Sequence, residues 1–447
     1  MASDNYKLSG RVIPFKGIRY SQKLVGDLSR VICPPYDIIT PEQQKYYYDI
    51  SQYNAIRVEY AAIQAEEANT DKRYERAAGT LRKWNEDGVL FRDQQASLYI
   101  HDHYFDYLGV KRKRRGLVAR VKLQPWYQSI FPHEFTFPGA KMDRLKLMRA
   151  CRVSFSPIMA LYSDSQKIIG ETMSVAAENV PIIDLSYLNE RHMVWSITDS
   201  ELIKHICDGL NPEPFYIADG HHRYETALIY QNERRESLLT GTDKGVNILD
   251  AVEGNAFDYL MMTLVEFSDD GLLMSPIHRL VRGIEISDLD IFEKRLANYF
   301  TTELVNLTEK TLEELENNVI NDYDIAVLGL EPGSVILLKR QQAGTTNAFI
   351  PGDHSESYNN LSVNLFNTIV LGEILKIAKD SDNIAYIADI KEAYQQIKTG
   401  SSQLAFLLHT PGAGIIKDIS HNEERMPYKS TYFHPKLPTG LVMNPLY

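Results

Sequence analysis

The chain has 447 residues, and 48 Lys and Arg against 59 Asp and Glu give it a formal charge of −11 at pH 7. This balance disfavours a nucleic-acid partner, because affinity for phosphate backbones needs clustered basic residues. A content of 44% hydrophobic and 24% charged residues disfavours a disordered chain. The widely spaced Cys33, Cys151 and Cys207 favour a reduced, cytoplasmic setting. Since we find no signal peptide and no apolar stretch near the roughly 20 residues that cross a bilayer, we expect no membrane partner.

The predicted elements of the first 265 residues alternate between helices and strands. We predict helices at 74–84, 141–150, 200–207 and 223–236, and strands at 98–107, 116–123, 153–161 and 214–218. The basic run Lys111 to Arg115 is interpreted as a solvated strand edge that discourages pairing. His101-x-His103 places two imidazoles on one side of a strand, as metal sites often do. With no third ligand evident nearby, we interpret it as an ordinary half-buried strand.

The chain changes character near residue 265, where strands and helices begin to alternate over shorter intervals. We therefore predict an α/β (α+β) protein with an N-terminal half at 1–265, an α+β domain at 266–425 and a C-terminal loop at 426–447. The loop is proline-punctuated and aromatic, which predicts an ordered functional segment that closes over the cleft.

The strongest chemical signal lies between the predicted strand 214–218 and the helix that follows it. Asp219-Gly-His-His-Arg223 forms a sharp turn in which Gly220 lets backbone approach a ligand and Arg223 offers a planar fork for phosphate oxygens. Asp219 is a candidate Mg²⁺ ligand, and His221 and His222 are candidate proton carriers. The alternative is an ordinary helix start with Asp219 as its cap.

This turn resembles the phosphate-binding signature of the ParB/sulfiredoxin superfamily, in which a strand, a Gly-x-x-Arg turn and a helix hold nucleotide phosphates. The whole chain more closely resembles domain-of-unknown-function family 1015 of bacteria and archaea. Six boxes in order carry this resemblance: Cys33 to Asp37, His133 to Thr136, Ser156-Pro157, Ala218 to Leu228, Pro276 to Arg279, and Met426 to Lys436.

The superfamily resemblance implies roles for Gly220 and Arg223, which fall where its phosphate-cradling Gly and Arg lie. This chain has His221 and His222 where sulfiredoxin has its catalytic Cys, so sulfinic-acid reduction is disfavoured, because that reaction needs a thiolate. The partition proteins carry a DNA-binding helix-turn-helix, and the charge of −11 argues against that role. A free-serine kinase branch remains the best catalytic analogue.

Two further boxes supply candidate residues. In the His133-Glu134-x-Thr136 box, an extended backbone directs Glu134 and Thr136 to one face, where Glu134 would serve as a base or Mg²⁺ ligand; a surface loop is the alternative. Near the C-terminus, Lys429, Ser430, Thr431 and Lys436 combine cations and hydroxyls that suit an anion. The alternative there is a strap that packs Tyr432 and Phe433 onto the core. Additional candidates are Asp37, His278 and Arg279.

Together these residues predict Mg²⁺-assisted phosphoryl transfer or phosphate-ester chemistry on a small hydroxylated metabolite, such as serine or phosphoserine by analogy with the free-serine kinase. The expected cofactors are Mg²⁺, held by Asp219 or Glu134, and a nucleotide such as ATP, ADP or CTP. The alternative function is a non-catalytic nucleotide sensor that binds CTP or a similar ligand. The expected partner is a small phosphorylated molecule, and a homo-oligomer is compatible with the sequence.

Overall fold

The computed structural model describes residues 10–64, 70–136, 138–240, 255–317, 320, 322–341, 350, 352–379, 381–409 and 412–447. The chain forms two compact units. The first is assembled from Met1–Pro132, Thr136–Leu272 and Pro435–Tyr447, and the second from His133–Phe135 and Leu273–His434. Each unit is therefore built from segments that lie far apart in the sequence.

The described part of the first unit contains twelve strands before residue 272. They are β1 Val12–Ile13, β2 Ile18–Tyr20, β3 Leu90–Arg92, β4 Leu98–Tyr107, β5 Val110–Lys122, β6 Ile130–Phe131, β7 Val153–Ser154, β8 Ile158–Tyr162, β9 Ile183–Tyr187, β10 Glu190–Ile197, β11 Phe215–Asp219 and β12 Tyr259–Glu266. Nine of them form one sheet in the order β6-β11-β8-β12-β5-β4-β10-β9, with β1 also paired to β5. The pairs β6–β11 and β8–β12 are parallel and the others antiparallel.

Eight α-helices are described in the first unit. They are α1 Gln22–Val25, α2 Pro41–Ile50, α3 Ile56–Glu59, α4 Lys72–Glu86, α5 Pro138–Cys151, α6 Ile168–Ala176, α7 Ser200–Leu210 and α8 His221–Leu239. Helix α4 confirms the predicted 74–84 helix and buries Tyr74, Ala77, Leu81 and Trp84 at the spacing of one helix face. Apolar residues of the nine-stranded sheet pack with residues of α5 to α8 in one core, to which Ile158, Ile217 and Tyr224 belong.

Two predicted features of this unit need correction. The basic run Lys111 to Arg115 does not prevent pairing, because it pairs with β4 from Lys111 opposite Asp106 to Arg115 opposite Asp102. Its other edge lies beyond the β12 ladder, which covers 116–122, and Lys111 and Lys113 are exposed, as predicted. Arg114, in contrast, is 1% exposed, and Arg115 forms two 2.7 Å hydrogen bonds to Asp102. The predicted strand 153–161 is two strands, β7 and β8, separated by a segment that contains Pro157, which has no N–H to donate.

The second unit contains a six-stranded antiparallel sheet and a separate two-stranded ladder. Its strands are β13 Leu273–Pro276, β14 His278–Val281, β15 Phe300–Asn306, β16 Ile325–Leu328, β17 Ser334–Arg340, β18 Ile384–Ile387, β19 Leu404–Leu408 and β20 Thr431–His434. The sheet order is β15-β17-β16-β19-β14-β18, and β13 pairs with β20. Its described helices are Ile286–Leu296, Glu309–Glu316, Glu356–Asn359, Ser362–Leu365, the π-helical Phe366–Leu375, Ile390–Lys398 and Ile415–His421. The predicted mixed α/β class is confirmed by these sheets and helices.

Residues 435–447 return the chain to the first unit. Strand β21 Asn444–Pro445 pairs with β7, and the Met443 and Ile18 backbones exchange hydrogen bonds of 2.8 and 2.9 Å. Arg120 of β5 donates to the Asn444 side chain at 2.8 Å and to the Pro445 carbonyl. This segment is therefore an integral part of the first unit. Across the residues that the structure describes, no helix is both long enough and apolar enough to span a bilayer.

We predict that Met443→Ala lowers the free energy of unfolding of the first unit by about 2–4 kcal/mol, because it leaves a cavity at a side chain that is 0% exposed. Urea denaturation followed by tryptophan fluorescence measures this, since the chain's three tryptophans, Trp84, Trp126 and Trp195, all belong to that unit. The control is Leu239→Ala, at a side chain 89% exposed. Equal stability of the two variants would contradict an integral role for this segment.

Candidate functional site

The turn between β11 and α8 has the strand, turn and helix arrangement that the sequence predicts. Gly220 adopts φ 99° and ψ 28°, and the 19-residue α8 begins at His221. A Cβ atom at position 220 would lie 3.0 Å from Arg223 Nη2 and 3.0 Å from Ile158 Cγ1. Glycine is thus required both by the left-handed backbone and by the close approach of Arg223. The first N–H groups of α8 and the positive end of its dipole lie at this turn.

Asp219 is the centre of an ion-pair cluster at this turn. Its Oδ2 accepts a 2.7 Å hydrogen bond from Arg223 Nη2, and its Oδ1 accepts one from Lys436 Nζ. The three side chains are only 11–19% exposed. Burial by itself would raise the pKa of the Asp219 carboxyl, but Lys436 and Arg223 outweigh it and hold that pKa well below its usual value. Two cations on one carboxylate leave the cluster with a net charge of +1.

Arg223 also fixes the turn to the segment between β7 and β8. Its Nη1 donates to Ser156 Oγ at 3.0 Å and to the Pro157 carbonyl at 2.7 Å. Ser156 Oγ in turn donates to the buried Glu59 carboxylate at 3.2 Å. The Arg223 guanidinium therefore has a structural role in addition to the role that the sequence predicts for it.

The two histidines of the turn differ in exposure. His221 is buried, and its charge contributes to lowering the Asp219 pKa, whereas His222 is half-buried on the first turn of α8. The predicted roles of both in proton transfer stay predictions, as does the role of Asp219 as a Mg²⁺ ligand.

Glu225 is a member of this region that sequence reasoning did not single out. On the helix α8 it accepts a 2.6 Å hydrogen bond from Thr136 Oγ1 and a 2.8 Å ion-pair contact from Lys141. Thr136 was predicted to act beside Glu134, whereas its hydroxyl donates to Glu225. Asp37, an additional candidate, is exposed on a short 3-10 helix at Tyr36–Ile38.

The second unit brings together candidates from two other boxes. Glu134 Oε1 accepts the Ser430 backbone N–H at 2.9 Å, and His133 Nε2 lies 2.9 Å from Thr431 Oγ1. The Met426 N–H also bonds the His133 carbonyl at 2.7 Å. These contacts join the His133–Phe135 segment to the residues around Ser430, so they have a structural function whatever else they do.

The remaining candidates of the second unit are held by backbone groups. Arg279 Nη2 donates to the Lys429 carbonyl at 2.9 Å, and its guanidinium lies 4.7 Å from the centre of the Tyr386 ring. His278 Nδ1 accepts the Leu408 N–H at 3.1 Å, and burial lowers the pKa of His278 to about 3. His278 is therefore a neutral hydrogen-bond acceptor at ordinary pH. The remaining candidate, Lys429, is half-buried and has a left-handed backbone with φ 60°.

The strand predicted at His101-x-His103 is confirmed as part of β4, but at these two residues it is buried rather than half-buried. Both histidines are fully buried, and Glu190 and His192 of β10 lie beside His103. The sequence signal is the repeated alternation, His-x-His on one strand and Glu-x-His on another. It indicates a cluster only once β4 and β10 are known to be neighbours, because the two motifs are almost 90 residues apart.

Comparison with protein families decides the kinship of the chain. A family described as "Protein of unknown function (DUF1015)" matches residues 12–358. The chain belongs to the DUF1015 family. This confirms the family resemblance of the sequence boxes, while the ParB/sulfiredoxin likeness of the turn stays a prediction. Comparison with curated protein sequences finds no significant match.

Solved structures show a limited likeness. A free serine kinase variant in complex with AMP has a TM-score of 0.34 and 10% identity, covering 72% of this chain and 92% of its own. Truncated SbnI from Staphylococcus aureus has a TM-score of 0.35 and 11% identity, covering 74% and 87%. A conserved hypothetical protein from Pyrococcus furiosus has a TM-score of 0.33 and 12% identity, covering 72% and 93%. At TM-scores this low we draw no functional conclusion from these likenesses.

We predict that Asp219→Asn lowers the free energy of unfolding by about 2–3 kcal/mol at pH 7, because it leaves Arg223 and Lys436 without their carboxylate in a mostly buried site. The ionised carboxylate stabilises the folded chain fully above the unfolded-state pKa of about 3.9. That contribution is lost as the pH falls through the lowered folded-state pKa. Urea denaturation between pH 7 and pH 3 should therefore show the gap between variant and wild type narrowing below about pH 4.

The matched control for this prediction is Asp208→Asn, because Asp208 is 63% exposed and pairs with Lys204 on the surface of α7. It should change the free energy of unfolding by less than about 0.5 kcal/mol at any pH. A gap for Asp219→Asn that is constant from pH 7 to pH 3 would contradict the assigned ion pairs.

Proposed function

We propose that this protein is a phosphoryl-transfer or phosphate-ester enzyme that acts on a small hydroxylated metabolite and binds the phosphate at the turn 219–223. The observation that carries the proposal is the convergence of Arg223 and Lys436 on the single carboxylate of Asp219. One cation is enough to neutralise the Asp219 carboxylate. The second cation therefore leaves a net positive charge beside the first turn of α8, where the helix dipole also favours an anion.

Lys436 is the cation that the proposed phosphate recruits. Arg223 is held by Asp219, Ser156 and Pro157, and the Lys436 ammonium pairs with the other oxygen of Asp219. A flexible lysine can bridge a carboxylate and a phosphate, because it has three donors on a rotatable ammonium. In this proposal Arg223 shapes the turn, and Lys436 and the first N–H groups of α8 contact the phosphate oxygens.

Asp219 suits metal binding better than proton abstraction in this scheme. A carboxylate with a pKa well below the usual value is ionised at neutral pH, but it is a weak base. Ionised carboxylate oxygens are the protein ligands that Mg²⁺ prefers, with substrate phosphates completing the coordination. We therefore propose Asp219 as a Mg²⁺ ligand.

The proposed nucleotide is ATP, ADP or CTP, and the proposed core is ParB/sulfiredoxin-like around β11, Gly220 and α8. What supports this is the Gly220-x-x-Arg223 spacing together with the left-handed glycine that opens the helix. Serine and phosphoserine are the substrates to test first, by the analogy with a free-serine kinase that the turn suggests.

One observation favours a second candidate, a non-catalytic nucleotide sensor. Asp219 is a weak base, and Arg223 bonds to Ser156, Pro157 and Asp219, so the turn supports binding more directly than it supports catalysis. In a sensor, the ligand would take Lys436 from Asp219 and shift the segment 435–447 that carries it.

Phosphorus NMR separates these functions. Protein with Mg²⁺, ATP, ADP and CTP is followed with serine and, separately, with phosphoserine. We expect new phosphorus resonances for the wild type and at least about tenfold slower product formation for Lys436→Gln, because a charge-assisted contact to the phosphate is lost. Lys204→Gln, at an exposed surface lysine of α7, should behave as the wild type.

Line broadening without products, together with a ligand-dependent change in sedimentation, would favour the sensor. Asp219→Asn refines the distinction, since it should abolish turnover in the enzyme while nucleotide broadening persists. Broadening and products that are equal in Lys436→Gln and the wild type would contradict the proposed phosphate site.

A further inference from the structure

A row of polar side chains crosses the first unit's sheet on one face. His192 of β10 is opposite His103 of β4, and His103 is opposite Arg114 of β5. His101 lies two residues from His103 and Glu190 two residues from His192, so the strand alternation puts both on the same face. The His103 and His192 rings have centroids 4.1 Å apart. These residues are separate from the turn 219–223 and have no part in the function proposed above.

Hydrogen bonds fix the protonation of one histidine in this row. Arg114 Nη2 lies 3.2 Å from His103 Nδ1, and a guanidinium can only donate, so Nδ1 accepts. His103 Nε2 therefore carries the proton of the neutral ring and donates to Glu190 Oε2 at 2.6 Å. Glu190 is 23% exposed at its side chain, so the cluster reaches solvent at this end.

His192 has an unsatisfied atom at the centre of the cluster. The side chain is 0% exposed, and its Nδ1 lies 3.0 Å from His101 Nε2. Its Nε2 is buried without a hydrogen-bond partner and lies 3.8 Å from Glu190 Oε2. An unsatisfied buried nitrogen costs on the order of 1–3 kcal/mol, so a ligand that binds its lone pair would stabilise the cluster.

Three candidate ligand atoms lie close together beside this nitrogen. The nearest nitrogens of His103 and His192 and a carboxylate oxygen of Glu190 all lie within 4.8 Å of one another. Ligands at about 2.0–2.2 Å from a tetrahedral ion are about 3.3 Å apart, so the three atoms need to move by roughly an ångström to enclose one. Two imidazoles and one carboxylate are a ligand set that zinc uses with a fourth position for water.

His101 holds the ring of His192 in place, with His101 Nε2 3.0 Å from His192 Nδ1. If His192 Nδ1–H donates to His101 Nε2, the lone pair of His192 Nε2 faces Glu190. His101 then orients the ring of His192, as hydrogen-bond partners of metal-bound histidines do in many zinc sites.

We propose that His103, His192 and Glu190 form a binding site for a divalent transition-metal ion of the zinc class. His101 is a positioning residue for His192. When the ion binds, the proton of His103 moves from Nε2 to Nδ1, so the ring stays neutral, and the Arg114 guanidinium that now donates to Nδ1 turns away from it. Arg114 opposes binding, since its charge repels the ion and its donor occupies the side of His103 where a metal-bound ring needs an acceptor.

The experiment measures metal binding by the full-length protein stripped with chelator. Zn²⁺ is titrated in a calorimeter, and Co²⁺ is added separately and followed by its visible absorption, which is intense only in four- or five-coordinate sites. We expect one ion per chain with the intense Co²⁺ bands. His192→Gln and Glu190→Gln should each weaken Zn²⁺ binding by at least about 100-fold, since each removes a ligand.

The matched control is His205→Gln, because His205 is exposed on α7 and far along the chain from the cluster. It should bind both metals as the wild type does. Arg114→Gln tests the opposing charge: it removes the cation and offers His103 an acceptor, so we expect Zn²⁺ affinity to rise about tenfold. A purely structural cluster would show no such gain.

Circular dichroism and thermal melting verify that each variant is folded. Should His192→Gln fail to fold, Glu190→Gln, at the half-exposed end of the cluster, keeps the test decisive. The proposal is overturned if the wild type binds Zn²⁺ no more tightly than His192→Gln and Glu190→Gln do. It is also overturned if His205→Gln loses Zn²⁺ binding while His192→Gln retains it. Because these readouts need no nucleotide and no turnover, they are independent of the function proposed for the turn 219–223.

Discussion

The carboxylate of Asp219 joins three parts of the first unit that the sequence keeps apart. Arg223 connects it to the first turn of α8 and, through Ser156 and Pro157, to the segment between β7 and β8. Lys436 connects it to the segment that returns from the second unit. A buried carboxylate is stable only with such partners. The geometry of the turn, the position of residues 435–447 and the local positive charge therefore all depend on this one group.

Buried charge is a general feature of the first unit. Arg114, Arg120 and Arg144 are all nearly inaccessible, and each donates to a carbonyl oxygen of a residue distant in sequence: Pro435, Pro445 and Glu59. A guanidinium stays charged and has five donors in a fixed planar fork, two more than the rotatable ammonium of a lysine, so it suits several acceptors at fixed positions. An arginine left without its acceptors would be a costly buried charge. These arginines therefore fix chain segments to one another more specifically than apolar contacts would.

Local patterns were sufficient to predict some of this architecture. The spacing from Tyr74 to Trp84 predicts α4, and the apolar run before Asp219 with Gly220 after it predicts the turn into α8, because period and turn chemistry are encoded by adjacent residues. The interior position of β5, the Lys436 bond to Asp219 and the Glu190–His192 pair beside His103 could not be predicted. Each depends on strand register or on a contact between segments distant in sequence. A basic run looks the same in the sequence at the edge of a sheet and inside it, and a His-x-His motif looks the same with or without a neighbouring cluster.

The return of residues 435–447 imposes an order on biosynthesis. The ribosome makes this segment only after the whole of the second unit, so β7 lacks its partner strand β21 until then. While 273–434 emerge, Arg114, Arg120 and Asp219 also lack their partners in 435–447. During that interval the nascent first unit has uncompensated charge and exposed apolar positions where Leu441, Val442 and Met443 later pack. Such an incomplete unit is a natural client for a chaperone. The two segments of the second unit are both synthesised by this point, so the second unit can fold before the first is complete.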